Sequence, residues 1–370
     1  MTSPDSTAYG WGDWWRRIFT GSRTEVAPQS PPPSGGPSPR ATGPQRPEPT
    51  SLEELAWAEH HPEFAPHARA LGLRFSVAPA CDPAQLESLA NAVQEVAAQD
   101  ETDPAALPTA SLQILQLVAR PNLELAELAS VIQREPALAA AVLRVANSAG
   151  MGAAASIRTV RDAITRLGVT ESGRVVGVVA TQALFNPQSQ LAQRLFGARL
   201  REIHVASAAA ASGAAQLSME RGVGRSDFAF LGGMLHDVGK SLAIGALVQV
   251  VLARQVPESL PKDQLDALLE RVHVQLGSRA QARWQLPDYL VRLCAEHHDR
   301  CCPLSPETQE LHLVRVMSGL IALRARPQPA ERIAELTDSL RALDLSPLQT
   351  RAIDAGLRLR GSQVQTALAG

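Results

Sequence analysis

The stretch LGGMLHDVGK, residues 231–240, places two ionisable side chains, His236 and Asp237, inside an otherwise apolar segment. Burying such groups costs free energy unless they are paired, hydrogen-bonded or bound to a metal, so a functional site is the economical explanation. Gly239 would permit a helix end here, where imidazole and carboxylate can converge on one divalent cation. Lys240 lies one turn after His236, and its ammonium could then hold a phosphate oxygen.

Further histidines strengthen this interpretation. One opens an apolar helix of small residues, one stands a turn before Gly277, and two adjacent ones close a helix. A buried histidine bonded to a neighbouring aspartate is also a common structural arrangement, so one His-Asp pair alone is weak evidence. Taken together, the pattern predicts a shared pocket that contains His204, His236, Asp237 and at least one of His273, His297 and His298.

The surrounding sequence predicts helices. Ala and Leu are abundant and aromatic residues make up only 4% of the chain, a composition that favours helix over strand. Asp82 and Asn122 are candidate N-caps, Pro136 is a candidate first-turn proline and Gly168 separates two amphipathic segments. We predict an all-α bundle, in which Phe228 to Val251 forms a buried helical hairpin.

The chain divides by composition. Residues 1–50 are rich in Pro, Ser and Gly and are predicted to be a disordered tail. We predict a helical lead-in at residues 51–104 and a C-terminal helical extension at 301–370. The main domain is predicted at 105–300, with a first part at 105–200 and a second at 201–300. Near the start, Trp11, Trp14 and Trp15 share an apolar face that predicts docking to a partner protein or a membrane interface; an unstructured tail is the alternative.

Charge and cysteine content limit the partners and the cell compartment expected for this protein. Lys plus Arg number 35 against 37 Asp plus Glu, so the net charge of −2 makes nucleic acid an improbable partner. The four cysteines lack C-x-x-C spacing, which favours reduced thiols; Cys301 and Cys302 could offer zinc ligands, although adjacent cysteines chelate poorly. No apolar run reaches the roughly 18 residues of a membrane span, and we expect a cytoplasmic protein.

Several ordered motifs resemble one known family. They are LPTASLQILQLV at 107–118, REPALAAAVLRVANSAG at 134–150, SIRTVRDAITRLG at 156–168, FLGGMLHDVGK, HVQLGSRAQARWQLP at 273–287, and the pair His297-His298. Together they resemble the HDOD domain of the HD superfamily, which is related to metal-dependent phosphohydrolases and HD-GYP proteins. The NSA and WQLP elements favour HDOD over a generic HD hydrolase.

The resemblance implies an all-α fold and a divalent metal, Fe, Mn or Zn. By position, His204 resembles the first ligand and His236-Asp237 the H-D pair. His273, His297 and His298 resemble the additional histidines of multi-metal relatives, and Lys240 resembles the lysine after the H-D pair, where it would be the catalytic candidate.

The sequence also departs from catalytic relatives. Those enzymes are expected to supply a later Asp where this chain has Met317-Ser318, and a G-Y-P signature after the histidine pair is absent from the sequence. We therefore predict a signal-transduction output module of the HDOD type, which acts through a signalling partner and whose metal pocket is catalytically incomplete. The alternative is a metal-dependent phosphohydrolase acting on nucleotide or cyclic dinucleotide phosphoesters, and a nucleotide ligand fits either hypothesis.

Overall fold

The computed structural model describes residues 61–73, 82–99, 109–147, 157–186, 189–253, 260–300 and 302–369, with side chains to residue 362. None of these ranges contains a β-strand and α-helix dominates them, which confirms the predicted all-α class. The tryptophans at positions 11, 14 and 15, with the rest of the predicted tail, lie outside the described residues.

The helices of the described residues follow one another with short connections. In the first half of the chain they are α1 (Ala65–Leu71), α2 (Pro83–Gln99), α3 (Thr109–Val118), α4 (Leu125–Arg134), α5 (Pro136–Ala146), α6 (Val160–Leu167) and α7 (Val169–Phe185). In the second half they are α8 (Gln190–Arg221), α9 (Ser226–Leu235), α10 (Val238–Leu252), α11 (Lys262–Arg283), α12 (Asp288–Glu296), α13 (Gln309–Ala325), α14 (Ala330–Ala342) and α15 (Pro347–Ala369).

Local signals explain several helix ends. The Asp82 carboxylate accepts a hydrogen bond from the backbone N–H of Ala84 at 3.0 Å, as an N-cap does. Pro136 opens α5, and Gly168 lies between α6 and α7 at φ 83°. The prediction for Asn122 was wrong, because α4 begins at Leu125 and its N-cap is Glu124.

Two apolar clusters form the core. The larger joins α2 through α11 and reaches Leu290 on α12, and the smaller joins α1 with α13, α14 and α15. The long helix α8 contributes to both clusters, as do α9 and α12, so these three helices join the two halves of the core. Within the predicted lead-in, α1 packs on α15 whereas α2 packs on α10 and α11.

The helices α9 and α10 are buried, as predicted, but they do not form the predicted hairpin, because α9 packs mainly on α8 whereas α10 packs mainly on α11. The stretch Ser226–Leu252 is long and apolar enough to cross a membrane by length and composition alone, but 67% of its most apolar window is buried inside the protein. The helix is also interrupted at His236 and Asp237. Its apolarity is therefore that of a core element, and the interruption places polar groups at its centre.

Candidate functional site

The interruption between α9 and α10 positions the two ionisable residues of the central motif. His236 keeps helical backbone angles after the last residue of α9, whereas Asp237, with φ −103° and ψ 12°, directly precedes α10. Gly239 lies inside α10 and does not end a helix, contrary to the sequence prediction. A Cβ at this position would lie 1.9 Å from the backbone oxygen of His273. The backbones of α10 and α11 therefore almost touch, and this contact brings Asp237 against His273.

Four histidines of the site have their Nδ1 atoms fixed by acceptors. His236 Nδ1 donates to the Gly233 carbonyl at 2.9 Å, and His297 Nδ1 donates to the Cys294 carbonyl at 2.8 Å. The Nδ1 atoms of His273 and His298 have acceptors in the Leu269 carbonyl at 3.0 Å and the Glu335 carboxylate at 2.9 Å. A carbonyl can only accept, so Nδ1 carries a proton in His236, His273 and His297, and Nε2 of a singly protonated ring keeps its lone pair.

The Nε2 atoms converge on one point. His273 Nε2 lies 3.2 Å from His297 Nε2 and 3.2 Å from His298 Nε2, and one ligand atom from each of the three histidines falls within 4.8 Å of the others. With the Nδ1 atoms of all three rings engaged outward, lone pairs on the Nε2 atoms would face one another here. That arrangement is unfavourable without a cation between the rings, and it is how histidines are presented to a metal.

Asp237 completes this group of donors. Its Oδ1 lies 3.4 Å from His273 Nε2 and 3.7 Å from His297 Nε2. The same oxygen is buried and has no hydrogen-bond partner among the described residues. A buried carboxylate oxygen without a partner is costly, and a divalent ion would remove that cost. His236 joins the group through Asp237, because its Nε2 lies 3.4 Å from Oδ2.

Burial keeps two of the rings neutral. His236 and His273 are 3% and 0% exposed, and desolvation lowers the pKa of His236 to about 4 and that of His273 to about 3. For Asp237, burial opposes ionisation, but the Lys240 ammonium and the neighbouring histidines together outweigh it and hold the pKa well below the usual value. Neutral imidazoles and an ionised carboxylate are the protonation states that bind metal.

Lys240 is engaged by two carboxylates. Its ammonium lies 2.7 Å from Asp237 Oδ2 and 2.9 Å from Glu270 Oε1. Glu270 was not predicted, although it stands three residues before His273 on α11, a spacing that puts both on one helix face. It also pairs with Arg326 at 3.0 Å and Arg332 at 3.2 Å, so three cations surround this one carboxylate.

The C-terminal extension supplies further residues that sequence reasoning missed. Glu335 on α14 accepts from His298 and also from Arg332 at 3.0 Å. Arg315 on α13 is 3% exposed and donates to the backbone oxygens of His297, at 2.8 Å, Glu296 and Asp299. A cation at the carbonyl end of α12 is favourable for the helix dipole, and it fixes the turn that carries both adjacent histidines.

Replacing Arg315 by Lys is expected to destabilise the protein by about 1–3 kcal/mol, because an ammonium cannot reach three carbonyls at once and leaves buried acceptors unsatisfied. Urea unfolding measures this difference. The control is Arg292→Lys, since Arg292 is about half exposed and its pairing with Glu296 lies at 3.7 Å. Equal stability of the two variants would contradict the assigned role of Arg315.

The structure does not bring His204 to this group. Its ring stacks on Phe185 with centroids 4.6 Å apart, and it is not among the residues that line the pocket. Burial lowers its pKa to about 4, so it is a neutral core residue on α8. Trp284 is 5% exposed and packs in the larger core. The Asn147 side-chain amide donates to the Ile157 carbonyl and accepts from the Ile157 backbone N–H, both at 2.7 Å.

The pocket beside the histidines is small. Ser318 on α13 lines it at the position where catalytic HD enzymes are expected to supply Asp, and Arg332 and Glu335 line the opposite wall. The space inside is about 60 Å³, enough for a few water molecules and well below the roughly 300–1,000 Å³ of small-molecule sites.

The sequence profile of the HDOD domain matches residues 105–300. This protein belongs to the HDOD domain family. The match confirms the resemblance found in the sequence. His236, Asp237, His273, His297 and His298 all lie inside the matched region, whereas Arg315, Arg332 and Glu335 lie beyond it. The pocket of this HDOD protein is therefore built from more of the chain than the family profile covers.

Similar proteins agree with this assignment. An HDOD domain protein of unknown function from Geobacter sulfurreducens is 20% identical, with a TM-score of 0.53, and the match covers 77% of this chain and 97% of that one. A candidate metal-dependent phosphohydrolase from Shewanella amazonensis SB2B is 18% identical, with a TM-score of 0.50, and the match covers 73% of this chain and 98% of that one. At these identities the likeness concerns the fold alone.

One curated relative matches by sequence. An uncharacterized protein of Treponema pallidum (strain Nichols) is 22% identical over 206 residues, which are 54% of this chain and 38% of that protein. The HDOD protein thus aligns with under two fifths of the length of this relative.

Proposed function

We propose that this HDOD protein is a regulatory module of bacterial signal transduction that holds one divalent metal ion and acts through a signalling protein partner, without phosphoester turnover. The observation that carries the proposal is the convergence of three histidine Nε2 atoms beside a buried Asp237 oxygen that lacks a hydrogen-bond partner. Trp11, Trp14 and Trp15 are the residues proposed to reach the partner.

The donor set fits a metal. His273, His297 and His298 would hold the ion through Nε2 and Asp237 through Oδ1, while the carbonyls and the Glu335 carboxylate that fix the Nδ1 atoms orient the rings. Imidazole with carboxylate suits Zn, Fe or Mn. A bound ion would act as a Lewis acid and would hold α11 and the end of α12 together.

Three features argue against turnover. Ser318 offers a hydroxyl where a second metal would need a carboxylate. Lys240 is 12% exposed and already neutralised by Asp237 and Glu270, so it is not free to bind a phosphate oxygen. The open space of about 60 Å³ is too small for a nucleotide.

The second candidate is a metal-dependent phosphohydrolase acting on nucleotide or cyclic dinucleotide phosphoesters. One observation favours it: Lys240, Arg315 and Arg332 line the same small pocket, and cations placed in this way can stabilise the charge that develops on a phosphoryl group. This function requires α13 and α14 to move away from the histidines, because the pocket as described admits no substrate of that size.

Elemental analysis and an activity panel separate the two candidates. The purified full chain is expected to carry about one divalent ion, chiefly Fe, Mn or Zn, and to show no phosphodiesterase or nucleotidase turnover above background with Mn²⁺ or Fe²⁺ added. His236→Ala and Asp237→Ala serve as the matched variants. Turnover by the wild type that both variants lose would establish the hydrolase, and absence of metal after reconstitution would refute the metal site itself.

A further inference from the structure

A large groove lies on the other side of α13 from the histidine pocket. We define the α8–α13 groove by its walls, which are faces of α8, α11, α13 and α15, and its open volume is about 1040 Å³. Helix α13 contributes to both sites, since Ser318 and Ala322 line the pocket whereas Ile321 and Arg324 line the groove. The groove is therefore a separate surface of the molecule.

The floor of the α8–α13 groove is apolar and its α8 wall is made of small residues. Val205, Ala206 and Ala209 on α8 face Leu320 and Ile321 on α13. Val205, Ala206 and Ile321 remain partly exposed to solvent. Alanines along one wall leave room for large side chains from an incoming segment, and an exposed apolar surface of this kind usually marks an interaction site.

The rim of the groove carries charge of both signs. Glu202 and Asp263 are exposed carboxylates there. Arg199 at the same edge is held by Asp266 at 2.6 Å and by Glu202 at 2.9 Å. The lining also includes the cations Arg201, Lys262 and Arg358. A segment that combines bulky apolar side chains with charged residues of both signs would match such an apolar floor and mixed rim.

The first described helix, α1, lies beside this groove. Helix α1 packs on α15, whose residues Asp354 and Leu357 line the groove. Arg324, another groove residue, donates to the Leu71 carbonyl at the end of α1 at 2.8 Å and pairs with Asp354 at 2.7 Å. The roughly 40 residues between Phe19 and His61 can each span at most about 3.3–3.6 Å, so the length of chain ahead of α1 is ample.

We propose that residues 11–19 of this same chain, WGDWWRRIF, dock in the α8–α13 groove. The segment offers Trp11, Trp14, Trp15, Ile18 and Phe19 as apolar contacts; aromatic side chains bury about 150–250 Å² each. Its Asp13 and its two arginines, at positions 16 and 17, suit a rim that carries charge of both signs. The tryptophans proposed to reach a signalling partner thus have a binding site on their own chain, and the inference does not depend on a metal.

Peptide competition in the full chain tests this docking. A labelled peptide of residues 8–22 is titrated into the wild type and into the triple variant Trp11→Ala, Trp14→Ala, Trp15→Ala, with fluorescence anisotropy as the readout. We expect the triple variant to bind the peptide at least about tenfold more tightly, because the tethered segment occupies the wild-type groove at a high effective concentration. Equal affinity for the two proteins would overturn the proposal.

Groove variants locate the binding surface. In the triple-variant background, Val205→Glu and, separately, Ile321→Glu are expected to weaken peptide binding at least about tenfold, because each buries a charge under the indoles. Leu252→Glu is the matched control, since Leu252 is 58% exposed and lies outside the groove; it should bind like its parent. Circular dichroism and metal content, measured on every variant, separate loss of folding or of the metal site from loss of docking.

Two other occupants are distinguishable. If sedimentation shows that the wild type dimerises and the triple variant does not, the segment binds a second copy and docking within one chain is refuted. If vesicles containing phosphatidylserine capture the wild type but not the triple variant, and the groove variants behave like wild type, the segment binds membranes and the proposal fails. A monomer with no vesicle binding and the expected peptide affinities supports it.

Discussion

Replacing His273 by alanine is expected to lower the affinity for a divalent metal by more than about 100-fold, the largest effect of any single site variant. Its Nε2 lies 3.2 Å from both partner histidines and 3.4 Å from Asp237, so it is the donor common to the whole group. Loss of groups that merely orient a ligand already costs about 10–100-fold, and loss of the ligand itself should cost more. Isothermal titration of the metal-free protein with Zn²⁺ and Mn²⁺ measures the change.

Two variants give this measurement its controls. Glu335→Gln keeps the His298 ring in place but weakens its charge-assisted hydrogen bond, so an intermediate loss of about 10–100-fold is expected. His204→Ala removes a buried histidine that stacks on Phe185 away from the group, and its metal affinity should stay at the wild-type level. If His204→Ala lost metal as completely as His273→Ala, the ligand set described here would be wrong.

Replacing Gly239 by alanine is expected to destabilise the protein by at least about 3 kcal/mol. An added Cβ would meet the His273 carbonyl oxygen at 1.9 Å and the Gly277 nitrogen at 2.7 Å. Both neighbours are backbone atoms, so no side chain can rotate away and α10 must separate from α11. Such a loss is a large part of the roughly 5–15 kcal/mol that stabilises a typical domain, and urea unfolding measures it.

Gly245 provides a control in the same helix. A Cβ at Gly245 would have no neighbouring atom within 4 Å, and alanine is the better helix former by roughly 0.5–1 kcal/mol. Gly245→Ala should therefore be neutral or slightly stabilising. If Gly239→Ala unfolded at the same urea concentration as Gly245→Ala, the close approach of the two helices would be disproved.

The fold followed from the sequence because its determinants are local. Helical spacing of apolar residues, the proline that opens α5 and the glycine between α6 and α7 each act over a few positions. The helix interruption at His236 could also be predicted, because ionisable residues within an apolar segment need a structural reason. The close helix contact at Gly239 could not be predicted, because the need for glycine comes from α11, which begins more than twenty residues later.

The site followed from the sequence only in part. Histidines are uncommon in apolar helices, so those at positions 236, 273, 297 and 298 stood out, and the structure brings them together. The same criterion selected His204, which a stack on Phe185 accommodates in the core instead. Glu335 and Arg315 carried no comparable signal, because a charged residue on an amphipathic helix is ordinarily solvated, and only tertiary packing turns these two inward.

The Glu335 hydrogen bond to His298 affects how this protein can be divided for experiments. A fragment ending at residue 300, where the recognised domain stops, would retain all four histidines of the site. It would leave the His298 ring without the Glu335 carboxylate and the end of α12 without the Arg315 guanidinium. Such a truncated protein would bind metal weakly or not at all, because the residues that hold the histidines in place would be missing. Binding data from shortened versions would then describe the missing helices more than the native centre.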